Sequence, residues 1–325
     1  LIEKIKKRIF ISLAIAGLLY LGFTIYADFE NVVSAFTNFN WLIFPLLLIL
    51  SLINYFIRFL KWDYYLSLLN VPLKKIDSFS IFMSGLIMSV TPGKFGELLK
   101  CYLVKQVSGT QVRKTAPIIF AERITDFVSL MIIALAGAYI YNYGRTISAG
   151  VSLFFIILII IISNKKIALS IIGWLEKIKF LSRHISVIHN LYESSYTMLR
   201  PAPLLKMSVL SLFSWFFECF GYYLILINFG IDVNLMWASF SYAFATVVGA
   251  ISMLPGGLGV TEGSLTLLLI QENYSKDVAV ASTFIARVVT LWFAVLVGII
   301  NVTFYQKRFG RIIVETDSIN SANGG

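Results

Sequence analysis

The chain has 325 residues, 58% of them hydrophobic and 14% charged, with a formal net charge of +10. A soluble domain carries about 25% charged residues, so this composition excludes an ordinary soluble enzyme and points to a polytopic α-helical membrane protein. The longest less apolar stretch, about 165–203, is too short for a catalytic domain, and strands of alternating polarity, as a membrane barrel needs, are absent.

In chain order, a basic start (Lys4, Lys6, Lys7, Arg8) precedes an apolar run at 9–27. The run is long for a signal peptide and is read as a retained span, with the N-terminus in the cytoplasm. The next loop carries Asp28 and Glu30 without Lys or Arg, which puts it outside. A span at 41–69 returns the chain to Lys74 and Lys75, inside. An apolar segment follows in two pieces, 76–91 and 95–107, broken by "SVTPGKFGE", Ser89 to Glu97. Lys105, Arg113 and Lys114 are again inside, so this segment enters and leaves from the cytoplasm. Spans are expected at 115–142 and 147–163. From 165 to 200, Ile171, Leu175, Ile178, Ile185, Ile188, Tyr192 and Leu199 recur at helical spacing opposite basic residues, an amphipathic segment of one or two helices along the cytoplasmic surface. After a span at 204–229, the loop Gly230–Asn234 has no Lys or Arg and is placed outside. A second broken segment, 236–254 with 258–271, contains "SMLPGGLGVTE", Ser252 to Glu262. A last span at 278–305 leads to Lys307, Arg308 and Arg311, inside. Residues 311–325 read as a disordered tail.

The predicted fold is therefore all-α. It is a single membrane domain over 1–310 with about six full spans and two re-entrant helical hairpins; the alternative is that each piece of the two broken segments crosses, which gives more spans. The turns lie at Pro92, Gly93 and Gly96, and at Pro255, Gly256, Gly257 and Gly259. Proline stops the incoming helix and glycine permits the turn. Unit A, about 41–142, and unit B, about 204–305, share one plan, and the extra span between them inverts the second. Pro92 to Arg123 is 31 residues and Pro255 to Arg287 is 32. Inverted repeats of this kind build many secondary transporters around a site near the membrane middle.

Ionisable residues inside spans are costly and mark paths or binding sites. Glu97 is expected to pair with Arg123, and Glu262 with Arg287, across each hairpin–span contact. "AERITD" gathers Glu122, Arg123 and Asp126 in one turn. Each half-helix after a break starts with unpaired N–H groups that attract an anion, and Lys94 adds charge at the first tip. The candidate substrate-binding set is thus Lys94, Glu97, Glu122, Arg123, Asp126, Glu262 and Arg287; a set of structural clamps is the rival reading. Glu218 stands between a polar-path residue and a satisfied acid. Arg58, Lys61 and Asp63 are expected to snorkel to the inner interface. Cys101 and Cys219 are packing residues, and His184 and His189 are poorly spaced for a metal. No metal, cofactor or catalytic residue is expected, and nothing supports nucleic-acid binding.

"TPGKFGELLK", "AERITD", "LPGGLGVTEG" and "ARVVTLW" closely resemble the lysylphosphatidylglycerol synthase transmembrane (flippase-like) family over about 10–308. Gly93, Gly96, Glu97, Glu122, Arg123, Gly256, Gly257, Gly259, Glu262 and Arg287 occupy its motif positions. The resemblance implies an inner-membrane protein that moves a lipid between leaflets. The aminoacyl transferase fused to the best known members has no counterpart in this sequence, so the expectation is translocation without synthesis. The lipid would be anionic, aminoacylated or a polyprenyl phosphate. The alternatives are an enzyme or enzyme subunit in lipid aminoacylation or polyprenyl-linked glycosylation, and a scaffold for a separate synthase or glycosyltransferase. A homo-oligomer is compatible with all three, and a transporter is favoured over an enzyme.

Overall fold

The computed structural model describes residues 11, 14, 17–91, 97–141, 153, 156–175 and 182–310. Among them every regular element is a helix: α1 (Gly17–Tyr26), α2 (Phe29–Asn38), α3 (Phe44–Leu68), α4 (Lys75–Gly85), α5 (Leu98–Ser108), α6 (Val112–Ile140), α7 (Ile156–Ser163), α8 (Lys165–Leu175), α9 (Ser182–Leu199), α10 (Pro201–Asn228), α11 (Leu235–Ile251), α12 (Val260–Gln271), α13 (Lys276–Arg287) and α14 (Phe293–Phe309). Among the described residues, three stretches are each long and apolar enough to cross a membrane, Trp41–Leu68, Pro201–Asn228 and Lys276–Phe309, or four if the bent pair Ile156–Ser163 and Lys165–Trp174 counts as one span. The three match the spans expected at 41–69, 204–229 and 278–305. At 115–142, where a further span is expected, the structure has the 29-residue helix α6, which is not one of these three apolar stretches. Those at 9–27 and 147–163 fall partly outside the described residues, as do Pro92, Gly93, Lys94, Gly96 and the 311–325 tail. The chain is an all-α membrane protein.

Prolines set the starts of the long helices, where a missing N–H costs nothing. Pro45 opens α3 and Pro201 opens α10. The two helices then end alike. After α3, the Asn70 and Val71 amides bond the Ser67 and Leu66 carbonyls; after α10, Gly230 and Ile231 bond Ile227 and Leu226. Asn70 and Gly230 both take positive φ, 49° and 74°, the left-handed residue that closes a helix C-terminus. Every partner is displaced by 160 positions, and burial over 51–80 nearly repeats over 211–240.

α3 and α10 run antiparallel. Asn40, just before α3, and Asn228, the last residue of α10, exchange hydrogen bonds of 2.8 and 3.3 Å. Asn54 Nδ2 donates to the carbonyl and hydroxyl of Ser214, both at 2.8 Å, and Lys61 Nζ donates to Ser211 Oγ at 2.7 Å. Asn54 and Ser214 are themselves 160 apart, so equivalent residues meet at the centre of the crossing.

The first hairpin, α4 and α5, rests on α14. A Cβ at Gly298 would come within 2.7 Å of Ile87 Cα, so only glycine admits this backbone approach. In the second hairpin, α11 stops at Ile251 and Pro255–Gly257 form a tight turn with Gly256 and Gly257 at φ 59° and 68°. Between α13 and α14, Val288–Trp292 form a wide π turn, which displaces carbonyls from their helical partners. Side chains of α3 take them up: Ser51 Oγ donates to the Val289 carbonyl at 2.7 Å and Tyr55 Oη to that of Thr290 at 2.8 Å. α8 bends away from α7 by 99° and packs on α9, so the expected amphipathic segment is two helices.

Candidate functional site: a charged central cavity

Residues of both hairpins line a cavity of about 490 Å³. Leu86 and Ser89 reach it from the first hairpin, and Met253, Gly256 and Gly257 from the second. Five ionisable side chains line it: Arg58, Arg123, Asp126, Glu218 and Arg287. The rest of the wall is largely apolar or aromatic, a low-dielectric setting in which each charge must be met.

Asp126 is the hub of the first half. It is 3% exposed and takes three cations. Lys61 Nζ forms a short bond to Oδ1, Arg123 lies 3.2 Å from Oδ2 and Arg58 3.5 Å. Lys61 completes its shell with the Thr125 hydroxyl and the Glu122 carbonyl. Arg123 and Asp126 meet because they lie one helical turn apart on α6. On its other side Arg123 reaches Glu97 at 3.3 Å, across to the first hairpin. Arg123 Nε and Nη2 form no hydrogen bond despite their burial; both ion pairs are made through Nη2, and the side chain is 27% exposed.

Glu122 turns away from the cavity. Its Oε2 accepts from Lys100 Nζ at 2.7 Å, and Lys100 lies over the Trp62 ring, 4.5 Å from the centroid. Two pairs, Glu122–Lys100 and Arg123–Glu97, thus tie α5 of the first hairpin to α6.

The second half is tied by one arginine. Arg287 Nε donates to Glu262 Oε1 at 2.7 Å and Nη2 donates to the Gly256 carbonyl. Glu262 Oε2 accepts from the Gly259 amide at 2.8 Å, and Tyr20 Oη donates to Oε1 at 3.3 Å. The start of α12, expected to be an open anion site, is therefore filled by its own side chain. A carboxylate at that position satisfies the free amides and faces the positive end of the helix. Glu218 accepts from the Tyr242 hydroxyl at 2.8 Å.

Both expected pairs, Glu97–Arg123 and Glu262–Arg287, are formed. Arg123, Asp126, Arg287, Gly256 and Gly257 come together on the cavity; Glu97, Glu122 and Glu262 stand behind their basic partners and do not line it. Lys94 lies outside the described residues. The snorkelling expected of Arg58 and Lys61 is not seen: Lys61 is 1% exposed, and both reach inward because Asp126 lies opposite. Lys100 was not singled out. The sequence signal was the spacing of Ser51, Asn54, Arg58 and Lys61, three or four apart, which places them on one stripe of α3.

A carboxylate-bridged cluster of arginines and lysines at a wide, mostly apolar cavity suits binding of a polar group that brings its own charge. Sequence comparison matches residues 9–298 to the family described as the lysylphosphatidylglycerol synthase transmembrane region. The chain belongs to this family. Within it, a UPF0104 membrane protein of Methanothermobacter thermautotrophicus is 22% identical over 281 residues, 79% of this chain and 83% of that relative. A UPF0104 membrane protein of Methanocaldococcus jannaschii is 24% identical over 220 residues, 66% and 92%. Another, of Pyrococcus horikoshii, is 21% identical over 324 residues, 90% and 95%.

Proposed function

We propose that this chain is a lipid translocase: it passes a polar lipid headgroup between leaflets through the central cavity while the hydrocarbon tails stay in the bilayer. The observation that carries the reading is the joint lining of one cavity by residues of both hairpins and by Arg58, Arg123, Asp126, Glu218 and Arg287. Ionised groups deep in an apolar chain are retained where they serve a path or site. A volume of about 490 Å³ lies within the several-hundred-Å³ range of small-molecule sites and suits a headgroup without its tails.

The two halves, α3–α6 and α10–α14, are read as an inverted repeat. The shift of 160 positions and the antiparallel meeting of Asn54 with Ser214 support this: equivalent residues face each other only across a two-fold axis perpendicular to the two helices. If the helices cross the bilayer, that axis lies in its plane, and the hairpins open to opposite sides, as alternating access needs. Lys74 and Lys75 beside the first hairpin, against no Lys or Arg in Gly230–Asn234 beside the second, orient both termini to the cytoplasm. Arg123 is the substrate-facing arginine of the first half and Arg287 of the second; the acids behind them hold them in place.

The test is leaflet-resolved exchange of labelled phospholipids in liposomes holding the purified chain, against Arg123→Ala. Exchange that requires the protein and falls in a folded Arg123→Ala variant supports translocation. No exchange of any polar lipid by folded wild-type protein refutes it. A variant that only unfolds assigns Arg123 to the clamp, and the exchange measured with wild type then decides the function.

A further inference from the structure

Helices α6 and α11 run antiparallel and are held together at one end. The Tyr141 hydroxyl, just past α6, donates to Asn234 Oδ1, just before α11. One turn further in, a Cβ at Gly137 would run into Phe240 Cβ, so glycine is what lets the two helices touch there. Inward from that contact, residue numbers fall along α6 as they rise along α11. Leu130 comes level with Thr246, Phe127 with Ala250 and Ile124 with Met253; the Phe127–Ala250 level is about 15 Å from the contact at 1.5 Å per residue. All six line the cavity, whereas Gly137 and Phe240 do not. The seam between the helices is therefore closed at its Gly137 end and borders the cavity along the rest. That border is apolar and in part exposed: Met253 is 60% exposed and Leu254 45%, Ala250 is exposed, and Ile124, Phe127 and Val128 are half-buried. Where the first hairpin packs on α14 and the π turn, by contrast, the lining residues Leu86, Leu291 and Ala294 are all buried.

We infer that the seam between α6 and the end of α11 is the lateral portal of the cavity, through which a lipid's hydrocarbon chains reach the bilayer while its headgroup lies inside. This rests on the cavity being the headgroup site proposed above and adds the route of the chains. A lipid changes from polar to apolar over a short distance, where its headgroup joins its chains. The wall of the cavity makes the same change within one turn of α6, about 5.4 Å of helix, from Arg123 and Asp126 to Ile124 and Phe127. An exposed apolar rim on a cavity marks a ligand groove or a membrane contact, and this rim offers hydrocarbon a surface of its own kind. No charged side chain of α11 stands across the seam: Thr246, Gly249 and Ala250 are the residues that α11 contributes there. A chain can therefore lie between the helices without desolvating an ion, which burial beside hydrocarbon would penalise. Gly137 keeps the other end of the seam shut, so the opening is confined to the level of the charged turn.

The experiment places single cysteines in the full chain, reconstituted in phosphatidylcholine liposomes. Cys101 and Cys219 are buried and stay unreactive while the protein is folded, so they expose any variant that is not. Thr246→Cys, at a half-buried position on the seam, is expected to react with a maleimide carried on the acyl chain of a phospholipid. Phe244→Cys, at a position 41% exposed on the same helix and outside the cavity lining, gives the rate for a site open to bulk lipid. Adding Ala250→Trp is expected to slow the reaction of Thr246→Cys about tenfold and to leave Phe244→Cys unchanged; Ala250 is exposed, so the ring needs no room in the core. Bridging Phe127→Cys to Ala250→Cys with a short bis-maleimide is expected to stop leaflet exchange, which alkylating either cysteine alone does not. No chain-borne reaction at Thr246→Cys in folded protein, or no slowing by Ala250→Trp, overturns the inference. A charged, water-soluble maleimide that reaches Thr246→Cys faster than the chain-borne one makes the seam an aqueous mouth and also overturns it. Chain-borne reaction without leaflet exchange by wild type refutes translocation and leaves the portal standing; exchange that survives in the bridged protein refutes the portal and leaves translocation standing.

Discussion

Replacing Glu262 by Ala should be among the most destabilising single changes in the chain. The carboxylate is 2% exposed and serves Arg287 at 2.7 Å, the Gly259 amide at 2.8 Å and the Tyr20 hydroxyl at 3.3 Å. Removing it strands a guanidinium that is only 7% exposed. Breaking one side of a buried ion pair costs about 3–5 kcal/mol. Loss of the cap on α12 falls in the range of about 0.5–2 kcal/mol, though the two effects share one side chain and do not simply add. The double variant Glu262→Ala with Arg287→Met removes the stranded charge as well and should regain much of the loss, because deleting both partners of a buried pair is far cheaper than deleting one. The assay is thermal unfolding in detergent followed by a thiol-reactive dye. Cys101 and Cys219 are both buried and become reactive as the helices part. A Glu262→Ala midpoint equal to wild type, or a double variant no more stable than the single, would refute the account of this pair.

Asp126→Asn should rank close behind, since it leaves Arg58, Lys61 and Arg123 around a neutral amide; Lys61→Met in that background is expected to restore part of the midpoint, and no restoration would argue against the hub. Gly298→Ala drives a methyl into the backbone of Ile87 and should cost about 1–3 kcal/mol, with Cys101 on the first hairpin labelling faster than Cys219 at a fixed temperature. Glu193 pairs with Lys165 on α8 at 3.0 Å in the open, and that hydrogen bond and charge hold its carboxyl below the usual 4.5. Its contribution is therefore present at neutral pH and lost only as pH falls below that value, so Glu193→Gln should leave the midpoint unchanged on titration from neutral to mildly acidic buffer; a marked shift there would be inconsistent with a solvated pair.

The membrane class, the second break and the arginine–glutamate pairs were legible because each rests on a local signal. Apolar runs fix the class, Pro-Gly fixes the turn, and a charge within a span demands a partner. The identity of the partners was harder. Glu122 and Asp126 share a face by spacing, yet one meets Lys100 on the first hairpin and the other Lys61 on α3, and only the packing of three helices decides which. Arg58 and Lys61 lie near the basic end of their span, where a long side chain ordinarily reaches water. Their inward turn depends on Asp126, 65 and more residues away. Glu262 shows a different limit: the same carboxylate that signals a buried arginine also caps its own helix, and it closes the anion site that the bare turn would have offered.

The π turn at Val288–Trp292 has a rotational consequence. A residue in an α-helix advances about 100° around the axis, and a wide turn accommodates one residue more than the regular winding. Upstream of it Arg287 is aimed at the second hairpin; downstream Gly298 is aimed at the first. Excising one residue from the turn would re-phase the two segments by roughly that angle, so a single rod could engage one hairpin or the other, and both at once only with the irregularity kept.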